Sequence, residues 1–260
     1  MRTNLMAHLV AGFPNLDASL AAAEALIGGG ATYLEVQFPF SDPSADGPAI
    51  QAACTEALSR GFKVAQGWEL VDKIHAEHPQ LTVFVMSYAS IVVTRGIEAF
   101  VADAKRHNVA LIIPDLAPGA DDGLFSEGQR QGVPIVPVIV PTVSPQRLEA
   151  ILELKPEWVY TAVRTGITGS HTTLTPEIEN FLARINSRAK VLAGFGIDSP
   201  SQVKALAGKV HAPVVGSAFV RKITSIWQQK DLSETEKQKE LVFQLQAQVR
   251  ELTGAGAVFS

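Results

Sequence analysis

Eight β-rich runs alternate with amphipathic or alanine-rich segments along 260 residues, several of the helical segments open on a cap residue followed by proline, and no Pro/Gly/Ser-rich linker interrupts them. These observations predict one (β/α)8 barrel domain over residues 1–260, finished by a C-terminal helix. Strict alternation requires parallel pairing through crossovers, and eight units in a chain of this length is the arithmetic of the barrel. A doubly wound open sheet more often carries a glycine fingerprint after its first strand, and here that turn reads AGFPN, residues 11–15.

The elements follow in order. LMAHLV (5–10) is the first strand, and Asp17 caps an Ala/Leu helix that stops at Gly28-Gly29-Gly30. TYLEVQF (32–38), LTVFVMS (81–87), VALIIPDL (109–116) and PIVPVIV (134–140) are the next four strands. Ser144-Pro145 opens the helix before EWVYTAV (157–163), Thr175-Pro176 the one before KVLAGF (190–195), and Ser199-Pro200 the one before HAPVVG (211–216). The last helix begins with a Ser233 to Glu236 capping box and places Val242, Leu245, Val249 and Leu252 on one packed face.

Composition narrows the partners. A net charge of -4 without any basic run gives no footprint for nucleic acid or an anionic membrane. No apolar stretch approaches the roughly twenty residues that span a bilayer. The single cysteine, Cys54, reads as a small apolar helix residue beside Ala52 and Ala53, and one unpaired cysteine fits a reducing, cytoplasmic setting.

In the second strand Leu34, Val36 and Phe38 share one face while Tyr33, Glu35 and Gln37 share the other. Barrel strands are covered on both sides, so the apolar set faces the helices and Glu35 points into the barrel mouth. A partly buried carboxylate costs several kcal/mol unless matched, which makes Glu35 an acid/base candidate before it is a structural one. Asp42 and Asp46 follow on the next loop, each also readable as a turn or helix-flanking residue. GFGI (194–197), VVGSAFV (214–220) and RTGITGS (164–170) follow later strands, and Gly194, Gly196 and the Gly216-Ser217 helix start suit a phosphate. Lysines such as Lys155, Lys190 and Lys209 fall on helices, loops or strand beginnings, the wrong end for a Schiff base. The six histidines show no metal-ligand spacing, and His75 and His78 of one helix are expected to face solvent.

With LE, PFSDP and ADGP following in turn, and RTGITG, GFGI and GSA behind them in order, the chain resembles the tryptophan synthase α-subunit family over nearly its whole length. The resemblance implies cleavage of indole-3-glycerol phosphate to indole and glyceraldehyde 3-phosphate, without a metal or cofactor in this chain. It makes Glu35 the acid/base at indole C3 and the glycerol hydroxyl, Asp46 the partner of the indole N–H, and Tyr160 a neighbour of Glu35. Tyr88 is then expected along the indole pocket, Thr168 against Asp46 when its loop closes, and Gly169, Gly196, Gly216 and Ser217 around the phosphate. Arg164 roots the lid, and Asp42 belongs to an interface with a pyridoxal-phosphate β subunit in an α2β2 complex. The chain departs from the family by starting almost directly at the first strand, by Val10, where threonine is frequent, and by Gln37, where glycine is usual. Gln37 either fills space or hydrogen-bonds Glu35. Two other functions compete: a phosphate-binding isomerase or epimerase using Asp115 as a second acid/base, and a weakly active barrel serving chiefly as allosteric partner of a β subunit.

Overall fold

The computed structural model describes residues 3–162, 175–194 and 196–255. Its elements run β1 (Met6–Val10), α1 (Leu16–Gly29), β2 (Tyr33–Gln37), α2 (Pro48–Ser59), α3 (Val64–Glu77), β3 (Thr82–Met86), α4 (Ala89–Arg95), α5 (Ile97–Arg106) and β4 (Val109–Ile112). They continue with α6 (Leu124–Gln131), β5 (Ile135–Val136), β6 (Val138–Ile139), α7 (Pro145–Glu153), β7 (Trp158–Ala162), α8 (Pro176–Asn186) and β8 (Lys190–Gly194). The chain closes with α9 (Pro200–Leu206), β9 (Ala212–Val215), α10 (Ser217–Trp227) and α11 (Glu234–Thr253).

All strand pairs are parallel, in the order β5-β4-β3-β2-β1-β9-β8-β7-β6. The two ends of that order are halves of one run, separated only by Pro137, so the sheet returns on itself as a barrel. The run expected as one strand over 134–140 is therefore broken in the middle. Proline has no N–H to give to the ladder, though its carbonyl still accepts from the Tyr160 amide at 2.9 Å.

Side chains divide between two apolar layers. Leu34, Val36 and Phe38 join Ala22, Leu26, Trp68 and others between sheet and helices. Met6, Phe84, Met86, Ile112, Val136, Leu192 and Val214 fill the barrel interior. Tyr33 and Trp158, which begin β2 and β7, meet each other and Phe84 of mid-β3 edge to face, with centroids 5.2 to 6.2 Å apart, and the Tyr33 hydroxyl lies 2.7 Å from His211 Nε2. This aromatic layer closes the end of the barrel opposite the carboxylates.

The helix starts follow the cap chemistry with one correction. Ser144, Thr175 and Ser233 each accept an amide of the first turn, and Ser199 forms a capping box with Gln202. The cap of α1, however, is Asn15, whose Oδ1 accepts from the Ala18 amide at 2.8 Å, while Asp17 sits in the first turn. Leu241, Leu245, Val249 and Leu252 of α11 are buried. Nor do the two histidines share α3 and both face water: His78 is the residue after its end, with Nε2 2.7 Å from Glu24 Oε2, and His75 Nε2 within the helix is buried without a partner among the described residues.

Candidate active site

A cavity of about 440 Å3 opens at the carboxyl ends of the strands, a size suited to a small organic ligand. Met86, Ile112, Val138 and Val214 give it an apolar floor. His8, Glu35, Asp46 and Tyr160 bring polar groups to the wall, and Gly196, Gly216, Ser217 and Arg221 form another part of the lining.

Glu35 is at the centre of β2, 3% exposed, on the inward face that the alternation predicts. Its Oε2 is 3.0 Å from His8 Nδ1, the residue directly across the ladder on β1. Its Oε1 has no hydrogen bond among the described residues. Burial works against a charged His8 imidazole, but the adjacent Glu35 carboxylate, its hydrogen bond and the more distant Asp46 together hold His8 above its ordinary value.

Asp46 immediately precedes Gly47, the cap residue of α2. The loop folds back over the strand ends, so Asp46 Oδ2 receives Gln37 Nε2 at 2.7 Å and the Tyr88 hydroxyl at 2.8 Å. Both donors use the same oxygen, leaving Oδ1 without a partner among the described residues. Burial raises the Asp46 carboxyl, opposed by His8 and by the hydrogen bonds from Tyr88 and Gln37, with a net upward shift. Gln37 thus neither merely fills space nor bonds Glu35; it reaches up to Asp46 and also lies 3.5 Å from Cys54 Sγ. Burial pushes the Cys54 thiol up to about 12, which leaves it a poor nucleophile.

Tyr88 is behind Asp46, 1% exposed and stacked on Phe40. It supports the carboxylate and is not part of the cavity lining, where an indole-facing position was expected. Tyr160 does line the cavity, and burial, with the charges of Glu35 and Asp46, keeps its hydroxyl well above the usual phenol range. Its ring explains Gly194, for a Cβ there would overlap the Tyr160 hydroxyl. Gly194 makes room for tyrosine at this point, whereas Gly196, Gly216 and Ser217 line the cavity itself, Ser217 as the first residue of α10.

Asp42 lies exposed, bonded to the Ser41 hydroxyl at 3.0 Å, and does not converge with Asp46 on the cavity. Asp115 is exposed too, and its Oδ1 accepts from the Ala89 amide at the start of α4; it does not line the cavity. Arg164, Thr168 and Gly169 lie outside the described residues. Among the described residues, no group of three or more His, Cys, Asp or Glu could hold a metal ion.

Two polar lining residues were missed from sequence. His8 shows the same signal as Glu35, a polar residue on an inward strand face, and Arg221 falls one helical turn after Ser217.

The family described as tryptophan synthase alpha chain matches residues 1–253. The chain belongs to the tryptophan synthase alpha chain family. A tryptophan synthase alpha chain from Helicobacter hepaticus is 39% identical over 261 residues, covering 97% of this chain and 96% of the relative. A mutant tryptophan synthase alpha-subunit from Pyrococcus furiosus superposes with a TM-score of 0.82 at 26% identity, covering 98% of this chain and 100% of that one. The tryptophan synthase complex from the same organism gives 0.81 at 26% identity, covering 97% and 98%.

Proposed function

We propose that Glu35, Asp46 and Tyr160 carry the reaction of the tryptophan synthase alpha chain, the cleavage of indole-3-glycerol phosphate to indole and glyceraldehyde 3-phosphate. One observation supports these roles most: two carboxylates, each cradled on one oxygen, meet a single cavity with an apolar floor and a helix start in its wall.

The indole ring lies over Met86, Ile112, Val138 and Val214, and the phosphate meets the backbone at Gly196, Gly216 and Ser217, where the start of α10 favours an anion. Asp46 Oδ1 accepts the indole N–H. As C3 is protonated the ring becomes an indolenine-like cation, and the Asp46 charge stabilises it. Glu35 enters as the carboxylate, takes the proton of the hydroxyl on the adjacent carbon and delivers it to C3. The bond between C3 and that carbon then breaks, its electron pair returns to the ring to restore indole, and the former hydroxyl carbon leaves as the aldehyde. Tyr160, neutral at working pH, stands beside Glu35 and limits water around it.

The chain works as a single barrel domain in the cytoplasm, within tryptophan biosynthesis. The alpha chain carries no cofactor of its own; pyridoxal phosphate belongs to the β subunit with which it forms a complex, and exposed Asp42 is assigned to that interface. Titrating the chain with a tryptophan synthase β subunit while following indole release tests the partnership. Saturable acceleration is expected, and a rate indifferent to the β subunit would refute it.

A further inference from the structure

His8 is the polar lining residue that the roles of Glu35, Asp46 and Tyr160 leave unused. It is 3% exposed, midway along β1, with Nδ1 engaged by Glu35 Oε2 at 3.0 Å. The opposite edge of the ring lies against the helix start, since a Cβ on Gly216 would stand 3.3 Å from His8 Cβ, Cγ and Cδ2. The imidazole therefore bridges the acid/base carboxylate and the turn that opens α10. Its second nitrogen, Nε2, is buried and has no hydrogen-bond partner among the described residues, although His8 lines the cavity. A buried polar atom left without a partner is costly unless a ligand satisfies it.

We propose that His8 is a further substrate-contacting residue of this site, with Nδ1–H holding Glu35 and Nε2–H donating to an oxygen of the substrate's glycerol phosphate arm. The proposal rests on the lyase reading of the cavity. An ionised carboxylate only accepts hydrogen bonds, so Glu35 assigns the Nδ1 proton to His8, and Nε2 becomes a donor when the ring is protonated. Glu35 on β2 and Asp46 on the following loop favour that cation against burial. The other ionisable groups lining the cavity are Tyr160, neutral, and Arg221, whose Nη2 is 3.3 Å from Asp198 Oδ2. A cationic donor between Glu35 and the helix start matches the anionic arm.

The test compares the parent chain with His8→Asn and His8→Phe. The asparagine amide nitrogen takes the place of Nδ1, keeping the donor to Glu35 and deleting the group at Nε2; phenylalanine keeps the ring and deletes both. The readouts are kcat and KM for indole-3-glycerol phosphate, and calorimetric binding of glycerol 3-phosphate as a probe of the arm. Both variants are expected to bind the probe about tenfold or more weakly at neutral pH, the loss of one hydrogen bond to a charged acceptor. His8→Phe should also lower kcat, and His8→Asn should restore most of it. In the parent, probe binding should weaken as pH rises through the imidazole titration, a dependence absent from His8→Asn. Probe binding in His8→Asn equal to the parent's would overturn the contact, as would a parent that binds no probe. Parent-like kinetics in His8→Phe would reduce the residue to filler. A parent that binds the probe but releases no indole would sink the lyase reading alone, with calorimetry still deciding on His8.

Discussion

Replacing Tyr88 by phenylalanine deletes one oxygen that donates to Asp46 Oδ2 at 2.8 Å and accepts from the Ala45 amide at 3.2 Å. The ring itself stays buried against Phe40, so packing changes little. A hydrogen bond to a charged acceptor contributes about 1.5–3 kcal/mol, and the lower end applies because Asp46 is only partly buried and keeps its bond from Gln37. Transition-state stabilisation through Asp46 should weaken by that amount, lowering kcat/KM about tenfold. The pH profile gives a second readout. Burial raises the Asp46 carboxyl and the Tyr88 hydrogen bond opposes that rise, so removing the bond lifts it further. The reaction needs ionised Asp46 and fails as pH falls through its titration, so the acid limb of the variant should move to higher pH. Indole release followed from acid to alkaline pH in parent and variant reads that limb. An unchanged kcat/KM, or a fall of the same factor at every pH with the limb unmoved, would refute the reasoning.

Three further outcomes follow from other contacts. Gly194→Ala should force Tyr160 out of position and lower kcat/KM, with about 1–3 kcal/mol of lost stability by urea unfolding. Asp115→Ala removes only the acceptor for the Ala89 amide, so it should cost about 0.5–2 kcal/mol of stability and leave turnover per folded molecule unchanged, whereas an isomerase using Asp115 as a base would be inactivated. His8 is raised in the fold, so its pairing contributes stability that is complete below its unfolded value of about 6.5 and is lost as pH rises through the higher folded value. The stability gap between parent and His8→Phe, read by urea unfolding, should accordingly be wider near pH 6 than at alkaline pH.

Alternation in LEVQF was enough to turn Glu35 inward, because a covered strand leaves a charge no other face. The same logic applied to LMAHLV would have exposed His8, but what makes His8 matter is its register opposite Glu35, and register depends on how neighbouring strands pair. Gln37 shares a face with Glu35 yet serves Asp46, since the loop folds back over the strand end, a long-range fact that a local pattern does not carry. Tyr88 is concealed for the same reason. The run 134–140 was read as one strand although Pro137, a residue that cannot donate within a ladder, carried the signal of its break. Asn15 and Asp17 both have cap chemistry, and only the backbone geometry chooses Asn15.

Indole release from indole-3-glycerol phosphate, compared between the parent, Glu35→Gln and Asp46→Asn with and without a tryptophan synthase β subunit, tests the central claim most directly. The account predicts indole from the parent, faster with the β subunit. It predicts release abolished by Glu35→Gln and reduced by Asp46→Asn, with both variants still folded and binding substrate. Indole release by Glu35→Gln at the parent rate would contradict it, because no other carboxylate lining the cavity among the described residues could take that proton but Asp46, already committed to the indole N–H.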